Sequence, residues 1–418
     1  MKNNVLKKFK TKKLSYLLIY LLTIVSCQLI IAQTPINLQS AIDSALKNNL
    51  TIKQNKLRSV YQKKIIQTAY SIPQTNVLGE FGQLNSSYYD NRLGVSQSIS
   101  FPSVYTHQKR LLNEEWKSSL IEVTLKEAEI KKRVCRFFYN YLYLNNKKQL
   151  LLRIDSIYST FLDKANIRFS KGESNVLEKT TAESQRGNIS MQLNQLNKDL
   201  DIILIEFRQL LNTQAVLRPY ETTMKMDLTI KNDSGFMNEH PLLKIIEQKK
   251  KISTINKQLE TSKLLPDLTL GYYNMSMRGS GADNKMYDYS SRFQSIQVGL
   301  GIPLFFNAQK NKINAAQIQI QVSENHYLSE RTHIIKEHEL ALLEYQSNLK
   351  TVNYFETIGL KNADLIFKAA NQQFLNGEID YLKWAFLVNQ SIDIQSNYYD
   401  ALNNLNESII QINYLTVQ

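Results

Sequence analysis

The sequence predicts a mainly α protein with a smaller β component: long antiparallel helical hairpins plus four strands per chain, arranged as an internal structural duplication. Three observations predict it. The first is a repeated segment. Arg168-Phe169-Ser170-Lys171-Gly172-Glu173-Ser174-Asn175-Val176-Leu177 aligns with Gln373-Phe374-Leu375-Asn376-Gly377-Glu378-Ile379-Asp380-Tyr381-Leu382, with Phe, Gly, Glu and Leu in register at a spacing of 377 − 172 = 205. At that spacing Phe101 meets Phe306, Ala165 meets Ala370 and Gln185 meets Gln390. Pro73 and Pro266 are 193 apart, so the second copy carries about a dozen extra residues between the two anchors. Solenoid repeats run at roughly 20–50 residues, so this period marks a duplicated structural unit. The second observation is scarcity of turns: 13 Gly and 7 Pro in 418 residues require long elements. The third is period-two alternation confined to two places, one in each copy.

The chain opens on a signal peptide, residues 1–32. Lys2, Lys7, Lys8, Lys10, Lys12 and Lys13 form a positive head, and residues 14–32 are a nearly uninterrupted apolar run. A retained anchor is the competing reading, but no basic stop-transfer flank follows at Gln33. Cleavage after Ala32 competes with lipoprotein processing before Cys27, because Ile24-Val25-Ser26-Cys27 resembles a lipobox. Loss of six Lys and no acid takes the net charge from +14 to +8. That excess is spread along helices and lacks the clustered stripe of a nucleic-acid binder, so no nucleic-acid partner is expected. Cys135 is then alone, which excludes an intramolecular disulfide and any paired-cysteine metal site.

Residues 33–211 form the first repeat. Ile36, Leu38, Ala41, Ile42, Ala45 and Leu46 recur at helical steps, and this opening helix runs on to Pro73. Strands follow at about 73–83 and 92–101, where Leu93, Val95, Ile99 and Phe101 alternate with Gly94, Ser96, Ser98 and Ser100. A helix without Gly or Pro extends from about His107 to Phe169. It turns near Gly172, a glycine suited to a left-handed helix end, and returns along 175–211. Residues 212–236 are an inter-repeat equatorial linker. The second repeat, 237–418, has its strand pair at about 266–304. There Ile296, Val298, Leu300, Ile302 and Leu304 face one way and Gln297, Gly299 and Gly301 the other. Its long helix runs from about Ala308 to Phe374, and its tip turn lies near Gly377. A soluble sheet with one wet face and a membrane barrel share this alternation; the export signal favours the barrel. Four strands cannot close a membrane barrel, which needs about eight, and lipid tolerates no open edges. Several copies must pool strands; three give about twelve, and an obligate trimer is expected.

Ile36-Asn37-Leu38-Gln39-Ser40-Ala41-Ile42 with Ala45-Leu46-Lys47-Asn48-Asn49, Leu265-Pro266-Asp267-Leu268-Thr269-Leu270, Ile302-Pro303-Leu304-Phe305 and the Phe374-x-x-Gly377-Glu378-x-x-x-Leu382 turn carry a resemblance. In order, spacing and duplication they resemble the outer-membrane efflux protein family, the TolC-like channels of Gram-negative tripartite pumps and type I secretion systems. The resemblance covers essentially the whole mature chain. It implies a homotrimeric channel with a trimeric twelve-stranded outer-membrane β-barrel, reaching into the periplasm as an α-helical barrel. It further implies a periplasmic adaptor, an inner-membrane pump, no cofactor and no active site. Phe169, Gly172, Leu177, Phe374, Gly377 and Leu382 match positions that face the adaptor and line the closing tip, although packing of the turn explains them equally. Members often carry an acid six residues after the second tip Gly, where a carboxylate ring narrows the pore. Here that position is Lys383, and its first-repeat equivalent is Glu178, so closure is expected to use Lys–Glu contacts or to lack an acidic ring.

Other signals carry less. His326, His333 and His338 lie beside Glu330, Glu337 and Glu339, and His333 with Glu337 has metal-ligand spacing; a charged helix face produces the same pairing, and no metal site is expected. Tyr88, Tyr89, Tyr272, Tyr273 and Tyr287 fit an interfacial girdle or ordinary strands. Gly279-Ser280-Gly281 with Asp283-Asn284 reads as an exposed loop between strands. No Ser/His/Asp, Cys/His or paired-carboxylate constellation is present, so an enzyme is not expected. Two other functions stay open: the duct of a type I protein secretion system, and a soluble periplasmic coiled-coil structural protein.

Overall fold

The computed structural model describes residues 34–172, 176–228 and 239–416. The signal peptide, with its Cys27 and Ala32 alternatives, lies outside the described residues. The chain starts as a short strand β1 (Thr34–Ile36), then α1 (Leu38–Asn48) and α2 (Leu50–Ile65), which tightens into a 3-10 turn at Ile66–Tyr70. The opening helix is therefore interrupted, and Asn49 is the reason. Its buried side chain accepts from the N–H groups of Thr51 (2.9 Å) and Ile52 (3.3 Å) and donates to the Leu210 carbonyl (2.9 Å). One residue thus caps a new helix and fastens it to the end of a distant one.

Strands β2 (Asn76–Gly82) and β3 (Asp90–Ile99) lead into α3 (Pro102–Ser170), which at 69 residues spans about 100 Å. Pro102 sits in its first turn, where a missing N–H is harmless. α4 (Val176–Leu211) returns antiparallel to it. β4 (Leu217–Pro219) pairs in parallel with β1, so the start of the chain is stitched to the linker. α5 (Pro241–Ser262) leads to β5 (Asp267–Ser276), a two-residue hairpin of β6 (Gly279–Ser280) and β7 (Met286–Tyr287), and β8 (Arg292–Gly301). α6 (Asn307–Tyr354) continues through a π-helical turn, Phe355–Gly359, into α7 (Leu360–Leu375), and α8 (Tyr381–Leu415) returns. The four long strands form one antiparallel sheet in the order β2-β3-β5-β8.

The duplication is visible in the turns. Gly172 and Gly377 have φ +75 and +76, and their N–H groups bond to Phe169 (3.0 Å) and Phe374 (3.1 Å). Only glycine takes that backbone without strain.

The two hairpins join along an antiparallel α3–α8 seam. Lys132 donates to Gln411 (2.5 Å), Arg136 pairs with Glu407 (2.8 Å) and Lys147 with Asp400 (2.8 Å). Apolar residues fill the gaps. Phe138, Phe207 and Leu211 anchor a mid-chain core with α1, and Val352, Leu405 and Ile409 anchor one beside the linker.

His240 closes the upper end of this junction. It is almost fully buried, its ring meets Tyr414 edge-on at 5.4 Å, and its Nδ1 accepts from the Leu242 N–H at 3.3 Å as the cap of α5. Burial lowers its pKa below the ordinary 6.5, against a smaller opposing pull from the Tyr414 backbone. A lowered folded pKa means the neutral ring stabilises the fold above pH 6.5, and that stability drains away as pH falls through the folded pKa. Comparing Tm of wild type and His240→Asn from pH 8 to 5 should show a steeper acid loss in wild type; parallel curves would contradict it.

Candidate functional site

The sheet exposes the wrong face for a soluble protein. Its registers align Val77, Val95, Tyr272 and Ile296 in one row, with Leu270 and Val298 in the next and Ile99, Leu268 and Leu300 in the third. All point to the same side, and Ile296 and Val298 are 80% and 73% exposed. Exposed Ile302 and Leu304 continue the stripe past β8. The ten residues of β8, Arg292–Gly301, span about 33 Å, enough to cross the roughly 25 Å apolar band of a membrane barrel. The opposite face is small or polar over Gly94, Ser96, Ser98, Thr269, Gly271 and Gly299, with Leu78, Tyr273, Met275 and Phe293 as its larger members toward the loops. There the Tyr273 ring lies over Gly94, where a Cβ would meet it at 2.3 Å, and the Arg92 guanidinium stacks on that ring at 4.5 Å. β2 and β8, the outer strands, have no pairing partner on their free edges among the described residues.

A polar rim ends the band at the loop side. Arg292 donates to Asn91 (2.6 Å) and Asn274 (2.7 Å). Buried Asp90 accepts from Ser276 Oγ (3.2 Å) and the Arg278 N–H (3.0 Å), which fixes one loop against the other.

About 100 Å away the two helical tips differ from each other. In the first, Phe169 and Leu177 are exposed, Lys179 lies 5.4 Å over the Phe169 ring, and Glu178 accepts from Arg168 at 3.2 Å. In the second, Phe374 turns inward and packs on Phe161 (5.5 Å) and Trp384 (5.6 Å), while Leu382 stays exposed. Lys383 is exposed in the first turn of α8, and its N–H bonds to the capping Asp380 at 2.8 Å. The duplicated phenylalanines therefore make different contacts.

An aromatic cluster that sequence reasoning missed joins the hairpins just above the tips. Phe161 of α3 stacks on Tyr381 (4.0 Å) and Trp384 (4.9 Å) of α8, and Tyr158 meets Trp384 edge-on (5.9 Å). Trp384 Nε1 donates to Asn371 and Tyr158 Oη to Asn389, both at 2.8 Å. A sequence signal existed. The 205-residue spacing places Tyr381 and Trp384 opposite Val176 and Lys179, so the aromatics belong to one copy alone.

Two further features bear on function. His326 and His333 are exposed and His338 half-buried on α6, and among the described residues no group of three or more His, Cys, Asp and Glu gathers where it could hold a metal ion. No described helix is long and apolar enough to cross a membrane.

Residues 238–415 match the family model of the outer membrane efflux protein. No curated protein shows significant sequence similarity to the chain. Among solved structures, the chain is similar to the Campylobacter jejuni CmeC outer membrane channel, at 13% identity over 91% of this chain and 85% of that one with a TM-score of 0.77. Vibrio cholerae VceC, an outer membrane protein, gives 12% identity over 91% and 95% with a TM-score of 0.73. CusC, described in terms of transmembrane channel formation, gives 15% identity over 91% of each chain and 0.76. The resemblance to the efflux family read from short motifs is borne out, and so is the mainly α fold of long hairpins with four strands. Of these neighbours, CmeC is an outer membrane channel and CusC is described by its transmembrane channel formation.

Proposed function

We propose that this chain, whose second repeat is that of an outer membrane efflux protein, is the channel subunit of a tripartite efflux system. The observation that carries the reading is the four-stranded sheet with one exposed apolar face and two unpaired edges. Such a sheet is stable in lipid only when its edges are closed by other copies. Three copies give twelve strands, with β8 of each beside β2 of the next. The helical layer supports the same ring: α2 and α4 pack on α3 at one end of the layer and carry exposed Leu57, Val60, Met191 and Ile205, and α6 packs on α5 and α8 at the other and carries exposed Ile318, Val322 and Leu343. Different surfaces meeting head to tail close into a ring when the rotation fits.

In this reading residues 33–211 and 237–418 are two repeats joined by the 212–236 linker. The sheet lies in the outer membrane, and the hairpins reach through the periplasm. A periplasmic adaptor engages the tips around Phe169, Gly172, Leu177, Phe374, Gly377 and Leu382, and an inner-membrane pump supplies the energy. The conduit itself is passive and needs no cofactor. Reconstitution of the purified mature protein tests this: stepwise conductance in planar bilayers together with a heat-modifiable trimer in SDS is expected. A soluble, non-conducting protein would refute it. In cells, a susceptibility panel on a deletion strain, with metals against detergents, dyes and antibiotics, would define the cargo.

The tip chemistry yields a second expectation. With Lys383 in place of an acid, three lysines and three Glu178 carboxylates line the closing tip of the trimer. Block of the reconstituted channel by divalent cations should therefore be weak and should strengthen in Lys383→Asp. Strong block of the wild type would mean that an acidic ring exists elsewhere.

A further inference from the structure

The positive charge that looked spread along the sequence is concentrated in space. The helical stretches that flank the strands are residues 49–72, 102–117, 241–263 and 307–323. Together they hold sixteen bases and four acids. Glu127, Glu122 and Glu324 just outside them pair with Lys56, Arg58 and Lys250, and counting those three acids leaves a net of +9 against +8 for the whole mature chain. Within ten residues of the sheet-side helix ends, about 15 Å, stand Lys63, Lys64, Lys109, Arg110, Lys257, Lys263, Lys310 and Lys312. The facing acids there are Glu260, which pairs with Lys263 at 2.6 Å, and Asp267 at the head of β5.

Aromatic rings hold several of the collar's bases. Lys109 lies 5.4 Å over Tyr70, Tyr70 stacks on Tyr105 at 6.3 Å, and Lys63 lies 5.3 Å over Trp116. Phe305 is 95% exposed, and Phe306 is exposed beside it. Phe306 takes helical backbone, φ −87 and ψ −1, as the residue that opens α6 at the foot of β8. The Lys310 N–H bonds to the Phe306 carbonyl at 2.8 Å, so Lys310 stands one turn below it on the same side. Apolar band, aromatic residues and basic collar thus follow one another along the chain from β8 into α6. Lys64, Lys109, Arg110, Lys310 and Lys312 make no ion pair with any described acid.

We propose that this collar binds the anionic headgroups of phospholipids in the leaflet beneath the sheet, and so fixes the depth and tilt at which the channel sits. The proposal rests on the membrane reading given above. Bases within a Debye length of an anionic leaflet are drawn to it. Ring closure adds a reason of its own: it brings the Lys63–Lys64 flank of one copy toward the Lys310–Lys312 flank of the next, and a bridging anion relieves that repulsion.

The test uses the full mature protein and a variant with Lys109→Gln, Arg110→Gln, Lys310→Gln and Lys312→Gln. Both are placed in nanodiscs of phosphatidylcholine alone or with phosphatidylglycerol. Wild type should retain phosphatidylglycerol in native mass spectra and gain a salt-sensitive rise in Tm from it. The variant should retain about tenfold less and lose the rise while still forming a conducting trimer. Equal retention by the variant would overturn the proposal, as would the same Tm rise from inorganic phosphate. A changed ion selectivity with unchanged lipid retention would also overturn it and place these bases in the pore. Failure of wild type to insert in either bilayer would instead sink the channel reading itself.

Discussion

Val298→Arg is expected to abolish accumulation of the protein in the outer membrane. Val298 stands in the middle of the exposed apolar row between Ile296 and Leu300, paired across the sheet with Leu270. An arginine on the lipid face near the bilayer midplane costs about 2–4 kcal/mol in each copy, hence roughly 6–12 kcal/mol in a trimer. The same change on a water-facing sheet would sit at a residue that is already 73% exposed, where substitutions stay within about 0.5 kcal/mol. The two environments thus differ by an order of magnitude in the expected effect. Membrane flotation and SDS trimer analysis of Val298→Arg beside Val298→Leu read it directly. Wild-type levels of folded Val298→Arg trimer would show that this face does not meet lipid.

The second large effect is expected at Trp384→Ala. Trp384 is 3% exposed and sits between Tyr158, Phe161, Phe374 and Tyr381. Its removal forfeits burial and leaves a cavity, together about 3–5 kcal/mol. The loss falls on one place, the attachment of the second hairpin tip to α3. In the proposed channel the closed state should then become leaky: open probability in the absence of an adaptor rises, and the tip turns become protease-sensitive before the mid-chain core does. Phe161→Leu, which keeps volume but removes the stack, should give the same change at lower amplitude. Unchanged closure in both variants would show that the cluster only packs the hairpins.

Much of the fold was legible because its signals are local. Gly172 and Gly377 announce the turns, the absence of Gly and Pro over α3 announces its length, and alternation over 92–101 and 292–304 announces β3 and β8. The break at Asn49 was missed because Asn is also at home in a polar helix, and only its bond to the Leu210 carbonyl, 161 residues away, makes it a cap. The π-helical turn at 355–359 was missed as well. Gly359 marks it, but the Glu356–Lys225 pair at 2.9 Å that sits there joins α6 to the linker. The tip residues were found by their repetition. That repetition hid their divergence, since Phe169 points to solvent while Phe374 packs into a core.

What the sequence by itself determined are the properties set by period and composition: duplication, helix length, strand positions and the two chemically different faces of each strand. These depend on neighbours two to four residues apart and survive any tertiary arrangement. What only the tertiary structure decided are the contacts between segments hundreds of residues apart. They are the α3–α8 seam, the aromatic cluster at Trp384, the burial of His240 against Tyr414, and the gathering of four separate basic stretches into one collar. Each requires two helices to cross at a particular height. That height is set by the summed packing of whole helices and not by any pattern within one of them.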